Sequence, residues 1–162
     1  MTLHNSSSVH RGSTFFLKLV ISFIALAVLA ICTYFLLVSI LSEEVGMYRP
    51  ILIGMSVAAI PFFFGLYQAF LLLIYIDKNN AFSDLSVKAL QKIKVSATII
   101  GTLYAMGMPY IYLVAEKDDA PGVILIGLIL TAAPIVIAVF AAVLQKLLQN
   151  ALHIKMENDL TV

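Results

Sequence analysis

Residues 19–42 read LVISFIALAVLAICTYFLLVSILS, 24 positions without a charged side chain. At about 1.5 Å of rise per residue, a helix of that length crosses a hydrocarbon layer ~30 Å thick, for which roughly 20 apolar residues suffice. Three further runs behave alike: residues 51–76, 95–115 and 120–145 hold 26, 21 and 26 positions free of Asp, Glu, Lys and Arg. The four runs together make 97 of the 162 residues. Each run is continuously apolar, which predicts helices, because strands of a membrane barrel alternate their character over about 10 positions.

Composition points the same way. The chain is 62% hydrophobic and 12% charged, with a mean hydropathy of +1.03, against roughly 45–50% and about 25% for soluble domains. A water-soluble globule is excluded. The expected architecture is all-α: an integral membrane four-helix antiparallel bundle with both termini cytoplasmic and a short amphipathic interfacial helix before the third span. Spans are expected at about 16–42, 50–76, 94–115 and 121–146 within a membrane domain 15–148, with tails 1–14 and 149–162 and a cytoplasmic loop 77–93. The first run resembles a signal peptide at Leu29-Ala30-Ile31-Cys32, but it continues past Cys32 and Ile31 is too bulky for a processing site, so a retained helix is expected. A single cysteine allows neither an intramolecular disulfide nor a cysteine-rich metal site.

Cations near span ends are retained on the cytoplasmic side. Arg11, Lys18, Lys78, Lys88, Lys92, Lys94, Lys146 and Lys155 lie on the tails and the central connection, whereas the two short loops carry only Arg49 and Lys117. The tails and connection are therefore expected inside. The outer loops hold Glu43, Glu44, Glu116, Asp118 and Asp119, so they are net negative. A net charge of +1 gives no basic excess of the kind that direct nucleic-acid binding requires.

Within the spans the side chains read as packing material. Ala97, Gly101 and Ala105 stand four residues apart on span three and are expected to seat a neighbouring helix, within the monomer or in a homo-oligomer. Gln68 carries an amide that wants a partner in lipid, and Thr98, Thr102 and Tyr104 on span three are its expected interhelical contacts. Pro61, Pro109 and Pro134 each remove a backbone hydrogen bond and invite a kink. No Asp, Glu, Lys, Arg or His interrupts a span, which weighs against ion-coupled transport. His4, His10 and His153 lack metal-site spacing, Ser6, Ser7 and Ser8 lack an adjacent base, and no pattern calls for a catalytic residue, metal or cofactor.

The segment that looks specified is DKNNAFSDLSVKALQKIK, residues 77–94. Asn79 and Asn80 suit a turn, Ser83 suits a helix N-cap, and Asp84 suits the positive end of the helix dipole. Phe82, Leu85, Ala89, Leu90 and Ile93 recur at helical spacing, with Lys88 and Lys92 on the other face and Asp84 placed to pair with Lys88. The expected product is a basic amphipathic helix on the inner membrane surface, with Asn80, Phe82, Ser83, Lys88, Lys92 and Lys94 available to lipid or to a partner.

This segment resembles the bacterial membrane proteins grouped as domain of unknown function 2975, on Asn80, Phe82, Ser83, Val87, Lys88, Leu90 and Ile93, with Ala81 where proline is frequent. The resemblance implies a bacterial inner-membrane location and a helix-turn-helix regulator encoded nearby; it implies no catalytic residue. The leading functional expectation is a non-enzymatic sensor or sequestering partner for such a cytoplasmic regulator. The alternatives are an envelope-protection or immunity protein against a peptide toxin, and a small oligomeric transporter or channel. For the orientation, a cysteine in place of Asp118 labels from outside intact cells and one in place of Ser86 only after permeabilisation; the opposite pattern reverses the topology.

Overall fold

The computed structural model describes residues 6–161, with side chains from residue 12 onward. His4 and the side chains of Ser6, Ser7, Ser8, His10 and Arg11 lie outside the described part. Four long helices follow one another: α1 (Ser6–Leu41), α2 (Arg49–Asp77), α3 (Asp84–Lys117) and α4 (Pro121–Leu160), with a 3-10 segment Glu43–Tyr48 between the first two. Among the described residues there is no strand. All four helices are long and apolar enough to cross a membrane.

The helices outrun their apolar cores. α1 begins at Ser6, within the expected N-terminal tail, and α4 reaches Leu160, through most of the expected C-terminal one. No Gly or Pro follows Pro134 in α4, and Leu147, Leu148, Ala151 and Leu152 keep the helical period going. Proline breaks none of the spans: Pro61, Pro109 and Pro134 all lie inside continuous helices. Pro50 and Pro121 stand in the first turn of α2 and α4, where a missing N–H leaves nothing unpaired.

Two helix ends share one device. Asn79 (φ 58°) is left-handed after α2, and the Asn80 N–H donates back to the Tyr75 carbonyl at 2.8 Å while the Asn79 N–H reaches Ile76 at 3.1 Å. After α3 the left-handed residue is Asp119 (φ 49°), and the Ala120 N–H donates to the Ala115 carbonyl at 2.9 Å. Such closures satisfy carbonyls that a helix end leaves bare, and Asn and Asp tolerate the left-handed well better than other side chains.

The bundle packs in chain order. α1 lies on α2, α2 on α3 and α3 on α4, and no other pair of long helices makes a comparable contact. Polar ties between ends fix the antiparallel sense. Lys18 pairs with Asp77 where α1 begins and α2 ends. At the other end Tyr48 donates to the Asp118 carboxylate, and Tyr110 Oη donates to the Met47 carbonyl at 2.9 Å. Most buried side chains belong to α3, including Ser86, Val87, Ala89, Leu90, Ala97, Ile100 and Val114. On α1 and α4 large apolar side chains are mostly exposed, as expected where the solvent is lipid.

The expected interfacial helix is not a separate element. Residues 84–94 form the first three turns of a continuous α3, because Ser86, Val87, Ala89 and Leu90 are buried in the bundle and no Gly or Pro interrupts the run to Gly101. Ser86 has no exposed surface, so the inner labelling site belongs at exposed Gln91 instead.

Close approach of α3 and α4 depends on glycine. A Cβ at Gly101 would lie 3.0 Å from Ile135 Cγ1 and 3.8 Å from Pro134, and one at Gly127 would lie 3.0 Å from Met108 Sδ. Of the small-residue stripe, Ala97 and Gly101 are buried and Ala105 is exposed. Residues eight apart on a helix have drifted by about 80°, enough to leave a contact face. Gly101→Val is expected to cost about 1–3 kcal/mol by overpacking. Gly54→Ala, with nothing within 4 Å of its added Cβ, should leave the melting temperature in detergent unchanged. Equal melts for the two variants would remove Gly101 from the interface.

Candidate functional site

The connection between α2 and α3 is built on one carbonyl. Asn80 O accepts from Ser83 Oγ at 2.7 Å and from Ser86 Oγ at 3.0 Å, while Ser83 Oγ accepts the Ser86 N–H at 3.4 Å. Ser83 is the expected N-cap of α3. Ser86 is the residue that sequence reasoning missed; its only signal was the Ser-x-x-Ser spacing after a turn. Asn80 contributes through its backbone, and Asn79 supplies the turn geometry.

This closure holds one face of the helix start outward. Phe82 is 58% and Leu85 51% exposed, and Lys88 and Lys92 are exposed as well. Leu85, Lys88 and Lys92, at i, i+3 and i+7, share one side of α3. The expected Asp84–Lys88 ion pair is not formed; Lys18–Asp77 is the ion pair found among the described residues. Asp84 stays at the N-terminal turn, where the helix dipole favours a carboxylate. Lys94 departs from the expected surface set. It is half-buried, and its Nζ donates to Gln145 Oε1 on α4 at 3.0 Å.

The polar residues expected to bridge α2 and α3 are not brought together. Gln68 is buried, 4% exposed, with no bond to Thr98, Thr102 or Tyr104. Thr98 Oγ1 donates to the Lys94 carbonyl and Thr102 Oγ1 to the Thr98 carbonyl, each at 2.8 Å, on an exposed side of α3. Threonine in a helix has this internal acceptor four residues back, which removes the need for an interhelical one. On the face toward α2 the close contact is instead Gly65, whose Cβ would lie 3.2 Å from Ser96 Cβ.

Tyr104 lines an apolar cavity of about 540 Å³ to which all four helices contribute, among them Phe35 of α1, Phe62 of α2, Ile100 of α3 and Ile137 of α4. Since α1 and α4 make no contact comparable to those between chain neighbours, the cavity lies where the row of helices fails to close.

A four-span helical membrane protein with a capped basic connection before its third span is thus the class defined by the fold. Residues 18–162 match the family described as Protein of unknown function (DUF2975), and the chain belongs to that family. It is 53% identical over 161 residues to the "Uncharacterized membrane protein YoaS" of Bacillus subtilis (strain 168), a match covering 95% of this chain and 100% of that relative. No solved structure matches.

Because Gln68 makes no interhelical bond among the described residues, Gln68→Leu is expected to leave the detergent melt unchanged or to raise it. A loss of 0.6 kcal/mol or more, the scale of a bridge between membrane helices, would show that the amide is partnered after all.

Proposed function

We propose that this membrane protein is a non-enzymatic binding partner, seated in a bacterial inner membrane with both termini and the 77–94 connection cytoplasmic. In this reading it senses a condition or sequesters a cytoplasmic helix-turn-helix regulator through the face around Phe82, Leu85, Lys88 and Lys92. One observation carries the reading: two large apolar side chains, each more than half exposed, stand beside two cations on a helix start held by the Asn80–Ser83–Ser86 closure. An apolar anchor rimmed by charge is the usual build of a protein-docking surface. The rigid cap lowers the ordering cost of docking.

The orientation rests on the eight-to-two split of cations. The regulator rests on the family resemblance, and its chemistry fits: the docking face presents Lys88 and Lys92 with no ion-paired carboxylate, so a partner surface with acidic side chains complements it.

Lys88 and Lys92 are exposed and bonded to no described residue, so their replacement tests docking without disturbing packing. Lys88→Glu with Lys92→Glu is expected to leave membrane abundance unchanged and to abolish co-purification of a DNA-binding protein from the native host. The double Arg variant should retain it. Identical cytoplasmic partners for wild type and the double Glu variant would sink the proposal.

A further inference from the structure

On the far side of the α3–α4 pair from the central cavity runs a second groove, open to the bilayer, with a volume of about 660 Å³. Small residues, Ala105 of α3 with Ala138 and Ala142 of α4, line it beside the bulkier Met106, Ile135 and Val139. At one end stands Lys94, which lines the groove. Lys146 lies one turn past Ala142 on the same face of α4 and is exposed.

The charge of Lys94 is not neutralised within the protein. Its Nζ has three donors and uses one, on the neutral carbonyl oxygen of Gln145. It takes part in no ion pair among the described residues. Lys94 is half-buried, and partial burial of an unpaired charge is unfavourable, so an anion beside its Nζ stabilises it. No Asp or Glu falls between Asp84 and Glu116 on α3, or between Pro121 and Glu157 on α4. Neither helix that lines the groove therefore supplies that anion within its span.

Length fixes what kind of molecule brings it. From Lys94 to Lys117 at the other end of α3 is 23 residues, about 34 Å at 1.5 Å each, so Lys94 lies one hydrocarbon thickness from the opposite boundary. That places it at the height of lipid phosphates, with the small-residue groove running from it toward the bilayer centre. Thr98 and Thr102 along its edge have their hydroxyl protons committed to the α3 backbone, so they make no demand on an apolar occupant.

We propose that this groove is a binding site for an anionic phospholipid, whose phosphate is held by Lys94 and Lys146 and whose acyl chain lies over Ala105, Ala138 and Ala142. Basic pockets between membrane helices hold anionic headgroups by the same physics, at about five-fold in affinity per lysine. The site is separate from the docking face, because Lys88 and Lys92 lie on another side of α3.

The test is native mass spectrometry of the full chain in detergent, with phosphatidylglycerol or phosphatidylcholine added at equal concentration. The wild type is expected to retain phosphatidylglycerol preferentially. Lys146→Gln, at an exposed residue bonded to no described group, should lower that retention about five-fold, and Lys94→Gln with Lys146→Gln should reduce it to the phosphatidylcholine level. Ala142→Leu, which fills the groove, should lower retention of both lipids, whereas Lys88→Gln with Lys92→Gln should change neither. Equal retention of the two lipids, or a loss as large from Lys88 and Lys92 as from Lys94 and Lys146, would overturn the site. Displacement of the lipid by millimolar inorganic phosphate would show that the acyl groove contributes nothing, and would overturn it too.

Discussion

In hydrocarbon a backbone N–H or C=O has no water to turn to, so each must be satisfied within its own segment or a closed sheet. Everything else in this structure follows from that constraint. It explains why the helices continue through Pro61, Pro109 and Pro134 instead of breaking. It also explains why the links are short and closed by their own hydrogen bonds, at Asn79–Asn80 after α2 and at Asp119–Ala120 after α3. Hydroxyls obey it as well: Thr98, Thr102 and Thr131 all donate to the carbonyl four residues back.

With the backbone satisfied, lipid supplies no hydrophobic drive between helices, and association rests on close packing and a few polar ties. α3 concentrates both. Gly101 admits Ile135, Ser96 meets Gly65, and Gly127 of α4 admits the pliable thioether of Met108. α1 has no such seat beyond α2; it is anchored at one end by the Lys18–Asp77 pair. The result is a row of helices that leaves a central cavity open between its first and last members. Each side of α3 then serves a different purpose: one packs in the bundle, one presents Leu85, Lys88 and Lys92, and one carries Lys94 along the α4 groove.

The basic connection shows how a single turn divides these roles. Had residues 84–94 been a free surface helix, all its lysines would have been equivalent cations on lipid. Burial of Ser86, Val87, Ala89 and Leu90 fixes the rotation of the helix. Lys94 then falls beside Gln145, while Lys88 and Lys92 stay exposed.

The sequence by itself determined the four spans, their helical nature, the Asn79 turn and the Ser83 cap. Those depend on local quantities: uninterrupted apolar length, proline and asparagine placement, and the donor at a helix start. It also carried the family likeness, through the residues of the 77–94 connection. Only the tertiary structure decided which faces meet. Gln68 was expected to meet Thr98 or Thr102, but residue type cannot fix helix rotation, and a threonine in lipid has an acceptor in its own backbone. The stripe of Ala97, Gly101 and Ala105 was legible as small, yet the drift of the helical period carried Ala105 out of the contact. Partnering of Lys94 by Gln145, 51 residues away, was invisible for the same reason: it depends on how two rotations combine, and no single helix contains that information.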